Sequence, residues 1–211
     1  MSEKSKIKRV PKRAVYDRSE IYKVLDNNLT CHMAFIHNGV PVSIPTTYGR
    51  IGDVLYVHGA LASRMLKEME KGIDVSISIA KVTGYIFARS AFHHSVNYES
   101  VVIFGKGKLV EGDEKMKALK AITDNMLQGR WEEVRIPSEK ELNATKVIAV
   151  PMDEVTGKIR DEGVNDKKSD METKVWAGLV PIKEVYEKPI LASGLDESIP
   201  LSKSVEELYK K

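Results

Sequence analysis

The stretch "TCHMAFIHNGVPVSIPTTYGRIGDVLYVHG", residues 30–59, decides the fold class. Asn38-Gly39 lies between two extended runs and is a strong two-residue hairpin signal. Pro41 and Pro45 put parts of the second strand at an edge, or where no ladder N–H is needed. Gly52-Asp53 supplies another turn before "VLYVHG", so an antiparallel meander of three strands is predicted.

Further strands are predicted over 74–80, where Val75, Ile77 and Ile79 alternate with serines, and over 84–91, 95–112 and 145–159. Gly105 and Gly107 mark a bulge or bend in the long third of these. Helices are predicted over 19–28 (capped by Ser19, with Ile21, Val24 and Leu25 inward) and over 113–129 (capped by Asp113, with Met116, Leu119, Ile122 and Met126 inward). Ser138 with Glu141, and Ser204 with Glu207, are capping-box pairs for two more. Six or seven antiparallel strands with a few helices fit a small barrel of the α+β class, mainly β. The boundaries expected are a single domain over 1–211, with a core at 15–182, a basic arm at 1–14 and a tail at 183–211.

The chain has 211 residues, 33 Lys plus Arg against 30 Asp plus Glu, and a net charge of +3. That balance argues against a nucleic-acid protein, although "KSKIKRVPKR" (4–13) holds six basic residues and is read as a solvated leader. Cys31 is alone, so no internal disulfide is available, and it is read as a buried small hydrophobe. No stretch reaches the apolar length of a membrane span, and the N-terminus lacks the apolar core of a signal peptide. A cytoplasmic protein is expected.

Chemistry gathers at "LYVHGALASRMLKEMEKG" (55–72), where a strand hands over to a helix lined by Leu61, Met65, Leu66 and Met69 and ended by Gly72. A helix start offers free N–H groups to a phosphate, Ser63 adds a hydroxyl, Arg64 a guanidinium fork, and Gly59 close backbone approach. His58 stands beside them. The plainer alternative is that Ser63 only caps the helix and Arg64 points to water.

Four segments in register (31–69, 84–119, 129–152 and 157–182) resemble the pyridoxamine 5′-phosphate oxidase-like split barrels that bind flavin nucleotide, nearest the branch that includes nitroimidazole-resistance proteins. The resemblance implies a split β-barrel, a homodimer, and two FMN sites at the subunit interface. It implies that His58, Gly59, Ala60, Ser63 and Arg64 hold the phosphate and ribityl chain. Val42, Ser43, Ile44 and Pro45 would pass beside the ring system. Asn97, Tyr98 and Ser100 match the family's "NYxSV" strand, and Trp176 the tryptophan before "AGLVP". Met65 stands where relatives often have lysine, which removes one phosphate contact, and Glu99 where many have arginine.

The function expected is an FMN-dependent oxidoreductase acting on a small molecule or electron acceptor; no residue is marked as acid, base or nucleophile. The alternative is a flavin or haem protein without turnover, with His58, His93 and His94 available to iron. His93-His94, read as strand neighbours on opposite faces, do not make a metal pair. His32 and His37 are read as strand residues, Trp131 as packing, and Lys158 and Arg160 as solvated charges. The segment 160–174, with nine charges, is read as a mobile loop.

Overall fold

The computed structural model describes residues 3–210. Among them, eleven strands and five α-helices follow in the order β1 (Ala14–Val15), α1 (Arg18–Asp26), β2 (Thr30–His37), β3 (Val40–Thr47), β4 (Gly49–Ile51), β5 (Val54–Ala60), α2 (Arg64–Met69), β6 (Asp74–Phe87), β7 (Ser95–Lys106), β8 (Lys108–Val110), α3 (Gly112–Met126), α4 (Glu139–Ala144), β9 (Thr145–Pro151), β10 (Glu154–Arg160), β11 (Gly178–Pro181) and α5 (Lys203–Tyr209). They fall into two compact units: Met1–Pro45, Val75–Gly105 and Met152–Lys183 form the first, and Thr46–Asp74, Lys106–Pro151 and Glu184–Lys211 the second.

The first unit is built on a sheet in the order β1-β10-β7-β6-β2-β3, with β11 paired to β6. Alternation drives it: Cys31, Met33 and Phe35 of β2 and Val75, Ile77 and Ile79 of β6 are buried while their neighbours are not. Asn38 (φ 50°) and Gly39 (φ 77°) make the left-handed turn of the β2–β3 hairpin, and β3 with its two prolines is the edge strand. Cys31 is fully buried, and burial pushes its thiol up to about 12. α1 begins one residue earlier than predicted. Asp17, not Ser19, accepts from the Glu20 N–H at 3.1 Å, because Ser19 donates to Asp17 instead.

The second unit has the sheet order β4-β5-β9-β8. Its central strands are apolar without alternation, Leu55–Val57 on β5 and Val147–Val150 on β9, because both of their faces are covered. On one face Tyr56, Val147 and Ala149 pack with Ala118, Leu119 and Ile122 of α3. Trp131 closes that cluster, as a packing residue would. On the other, a Cβ on Gly59 would point at Leu66 of α2 at 3.1 Å.

The architecture is α+β, mainly β, and antiparallel in every register resolved, the arrangement of a split barrel. Several boundaries differ from expectation. The meander stops at β3, since β4 and β5 belong to the other sheet. Residues 74–87 are one strand, not two, because Gly84 continues it where Leu179 and Val180 of β11 leave no room for a side chain. Residues 145–159 are two strands in different sheets. Gly107 separates β7 from β8, with its Cα hydrogen turned toward the Met69 carbonyl; a Cβ there would lie 2.7 Å from that oxygen. α3 starts after Glu111 without a side-chain cap, and its inward face is Lys115, Ala118, Leu119 and Ile122; Met126 is exposed.

The capping box of α4 is present, with Ser138 and Glu141 bonding reciprocally. The terminal helix differs. Ser202 is its N-cap, and Ser204 is buried, its N–H donating to Glu133 at 2.9 Å and its hydroxyl to the same carboxylate. Arg130 donates to Ser202 at 2.8 Å. These bonds hold the Glu133 carboxyl down at about 2, from an ordinary value of 4.5. A depressed carboxylate stabilises the folded state above its unfolded pKa and stops doing so as pH falls through the folded one. Amide exchange at residues 204–209 should therefore quicken as pH drops from 4.5 toward 2, after correction for intrinsic rates. Protection that is flat across that window would show that Glu133 does not anchor α5.

The basic arm docks through part of its length, while its lysines stay exposed. Ser5 is 3% exposed and donates to Glu154 at 2.6 Å, Arg13 pairs with Glu162, and Lys158 donates to the Arg9 carbonyl at 3.2 Å. The charged segment after β10 is irregular, with a short 3-10 turn at Lys168–Asp170, but it is tied down: Asp166 accepts from both the backbone N–H (2.9 Å) and the guanidinium (2.6 Å) of Arg89.

Candidate functional site

The strand-to-helix corner lies wholly in the second unit. α2 has six residues and begins at Arg64; Leu61, predicted on its inner face, precedes it and is exposed. Ser63 is the N-cap, its oxygen accepting from the Leu66 N–H at 3.5 Å, which leaves its hydroxyl hydrogen to donate elsewhere. Arg64 is exposed, and its guanidinium has no hydrogen-bond or ion-pair partner among the described residues. Met65 is buried in the core, which is why no lysine stands after the arginine. Gly59 is explained by packing, because its missing side chain lets Leu66 close on the strand.

His58 does not share that face. Side chains alternate along a strand, so His58 points opposite to Gly59 and hence away from α2. It pairs in register with Val147, on the α3 side of the sheet. There it lines a cleft of 310 Å³ with Leu119, Arg135, Pro137, Glu141, Leu142 and Thr145. Its Nδ1 is buried with no hydrogen-bond partner, and burial lowers its pKa, favouring the neutral imidazole. The corner thus separates into two places: Ser63, Arg64 and the exposed Ala60 on the turn and helix, and His58 across the sheet.

The other residues that the resemblance implies lie in the first unit. Val42 and Ile44 are half-buried on β3, while Ser43 and Pro45 are exposed. Asn97 on β7 is buried, and its amide is fully engaged. Its oxygen accepts from Arg160 (2.6 Å) and from the Glu162 N–H (3.1 Å), and its nitrogen donates to the Glu162 carbonyl (3.1 Å). Arg160 is therefore no solvated charge: it is 6% exposed and part of this network. Ser100 donates to the Lys158 carbonyl at 3.1 Å, and Tyr98 is half-buried near Arg13. Glu99 accepts from Asn28 at the end of α1, at 3.2 Å. Asn97 and Ser100 thus build the β7–β10 region through their own hydrogen bonds.

Trp176 is 66% exposed. Its ring covers Gly178, where a Cβ would come within 2.8 Å of the indole, and lies 6.3 Å from Phe87. Phe87 in turn stacks with Tyr85 at 6.1 Å. With Val180, opposite Tyr85 in register, these rings form an exposed apolar row that the sequence reading did not assemble. His93 and His94 sit at a 3-10 turn rather than on a strand; His94 accepts from the Ala88 N–H at 3.2 Å. Among the described residues no group of His, Cys, Asp and Glu side chains forms a metal site. No described helix is long and apolar enough to cross a membrane.

A family model described as pyridoxamine 5′-phosphate oxidase matches residues 17–159. Two solved structures resemble the chain over nearly its full length. An FAD and haem binding protein from Mycobacterium smegmatis is 31% identical, covers 93% of this chain and 97% of its own, and superposes with a TM-score of 0.90. A flavocytochrome from Azotobacter vinelandii is 29% identical, covers 98% and 97%, and also gives 0.90. A Bacteroides thetaiotaomicron protein with a proposed role in 5-nitroimidazole antibiotic resistance is 24% identical, covers 69% and 86%, gives 0.58, and shares the fold. No curated protein sequence matches.

Proposed function

Because this chain belongs to the pyridoxamine 5′-phosphate oxidase family, we propose that it binds a flavin nucleotide and acts as an oxidoreductase on a small molecule. The observation that carries the reading is Arg64, a guanidinium without a partner in its own chain beside a hydroxyl with a free hydrogen. Phosphate oxygens accept from just such a pair. FMN and FAD share the riboflavin 5′-phosphate that Arg64 and Ser63 would hold. The resemblance in sequence implies FMN; a relative of known structure carries FAD by name. Bound there, the flavin would supply hydride and electron transfer, and the protein would fix its position. Arg64 would neutralise the phosphate. The test is to reduce the flavin-loaded protein with a nicotinamide dinucleotide and reoxidise it with a trial acceptor. Turnover supports an oxidoreductase, and a flavin that stays oxidised favours a carrier.

The proposed assembly is a homodimer with the flavin shared between subunits. The row Tyr85, Phe87, Trp176 and Val180 supports it, since aromatic side chains of this kind dominate interface energetics. Replacing Phe87 and Trp176 together with glutamate should weaken self-association by about a hundredfold or more, the scale of losing hot-spot side chains. Light scattering reads the mass, and flavin affinity should fall with it. A monomer that keeps full affinity would rule out the shared site. The names of the two full-length relatives also bear on haem, and we extend the proposal to a haem in this chain.

A further inference from the structure

We infer that residues 183–201 form an arm that lies against a second copy of this chain. This rests on the dimer proposed above and not on any cofactor. The arm joins β11 to α5 and is irregular, with turns at 192–195 and 196–199 closed by local backbone bonds of 3.1 and 3.0 Å. Both of its ends are pinned. The Ile182 N–H donates to the Thr83 carbonyl at 3.0 Å, and Arg130 and Glu133 hold Ser202 and Ser204. Between these ends every residue except Pro189 is exposed.

The composition is wrong for a solvated strap. A segment stays in water when it is polar and strongly charged. This one carries seven large apolar side chains, all exposed, with Val185 at 78% and Ile190 at 97%. Structureless spans beyond ~12–15 residues are uncommon in compact domains, and those that are not linkers serve as binding loops or lids. Three observations make the partner a second copy. The arm continues directly from β11, whose Val180 belongs to the exposed row of the proposed dimer face. A stable interface takes about 20–30 residues a side. The row supplies four, and the nineteen of the arm bring the face into that range. Charge also matches: two lysines against four acidic residues give the arm −2, and since the whole chain carries +3, a second copy presents it with +5. The arm lies beyond the residues 17–159 that the family model matches, so the likeness to that family does not account for it.

The experiment uses the full chain as the wild type, as the double variant Ile190→Ser with Leu191→Ser, and as Ile136→Ser, which removes an exposed apolar side chain elsewhere. Self-association is measured by sedimentation over a dilution series. The double variant should raise the dimer dissociation constant by at least about tenfold, the scale of losing packed interface side chains, and Ile136→Ser should not. Amide exchange is then followed at high concentration and after dilution. In the wild type, residues 184–199 should be protected in the dimer and exchange at near-intrinsic rates in the monomer, while residues 204–209 of α5 keep their protection in both. Fast exchange of the arm in the dimer, or wild-type affinity in the double variant, would overturn the arm and leave the dimer standing. Protection that survives in the monomer would overturn it too, because the arm would then pack on its own chain. A wild type that is monomeric at every concentration would overturn the arm and the dimer together.

Discussion

Gly49→Ala should destabilise the protein by about 3 kcal/mol, at the upper end of what overpacking costs. Gly49 sits on β4, in ordinary extended backbone, and what a Cβ would meet there is main chain: Ile122 N at 2.4 Å and the Ala121 carbonyl carbon at 2.5 Å. A side chain in the way can rotate, but the backbone of α3 can only move as a whole. Moving it would pull Leu119 and Ile122 off Tyr56 and Val147 and strain the bond from Asn125 to the Tyr48 carbonyl, now 3.0 Å. Gly163→Ala is the control, since nothing lies within 4 Å of its Cβ position. Urea unfolding should separate the two variants clearly; equal midpoints would mean that α3 does not rest on β4 as described.

Arg64→Ala should weaken FMN and FAD by about tenfold to a hundredfold and leave riboflavin, which has no phosphate, nearly unaffected. The estimate follows from a charge-assisted hydrogen bond of roughly 1.5–3 kcal/mol. Stability should not move, because Arg64 is exposed and bonds to nothing in its own chain. Equal losses for riboflavin and the nucleotides would remove Arg64 from the phosphate site.

Local signals in the sequence proved legible where neighbouring residues supply the physics. The Asn38-Gly39 turn, the Ser138–Glu141 capping box and the alternation of β2 and early β6 needed nothing beyond their own segments. Caps misled where a competing partner existed: Asp17 takes the role read for Ser19, and Glu133, far along the chain, takes Ser204. The division of 145–159 between two sheets is a tertiary choice that a continuous apolar run does not announce. At the candidate site, adjacency in sequence put His58 beside Ser63 and Arg64. Strand alternation, applied to Gly59 and Leu66, puts it on the other face. The same limit hid Arg160, whose burial depends on Asn97 from another strand.

The claim on which the rest depends is that this chain holds a flavin nucleotide. Equilibrium titration of the purified chain with FMN and with FAD, followed by quenching of flavin fluorescence, tests it most directly. The account predicts saturable binding of at least one of the two, at one flavin per chain. An unsaturable signal with both nucleotides would contradict it.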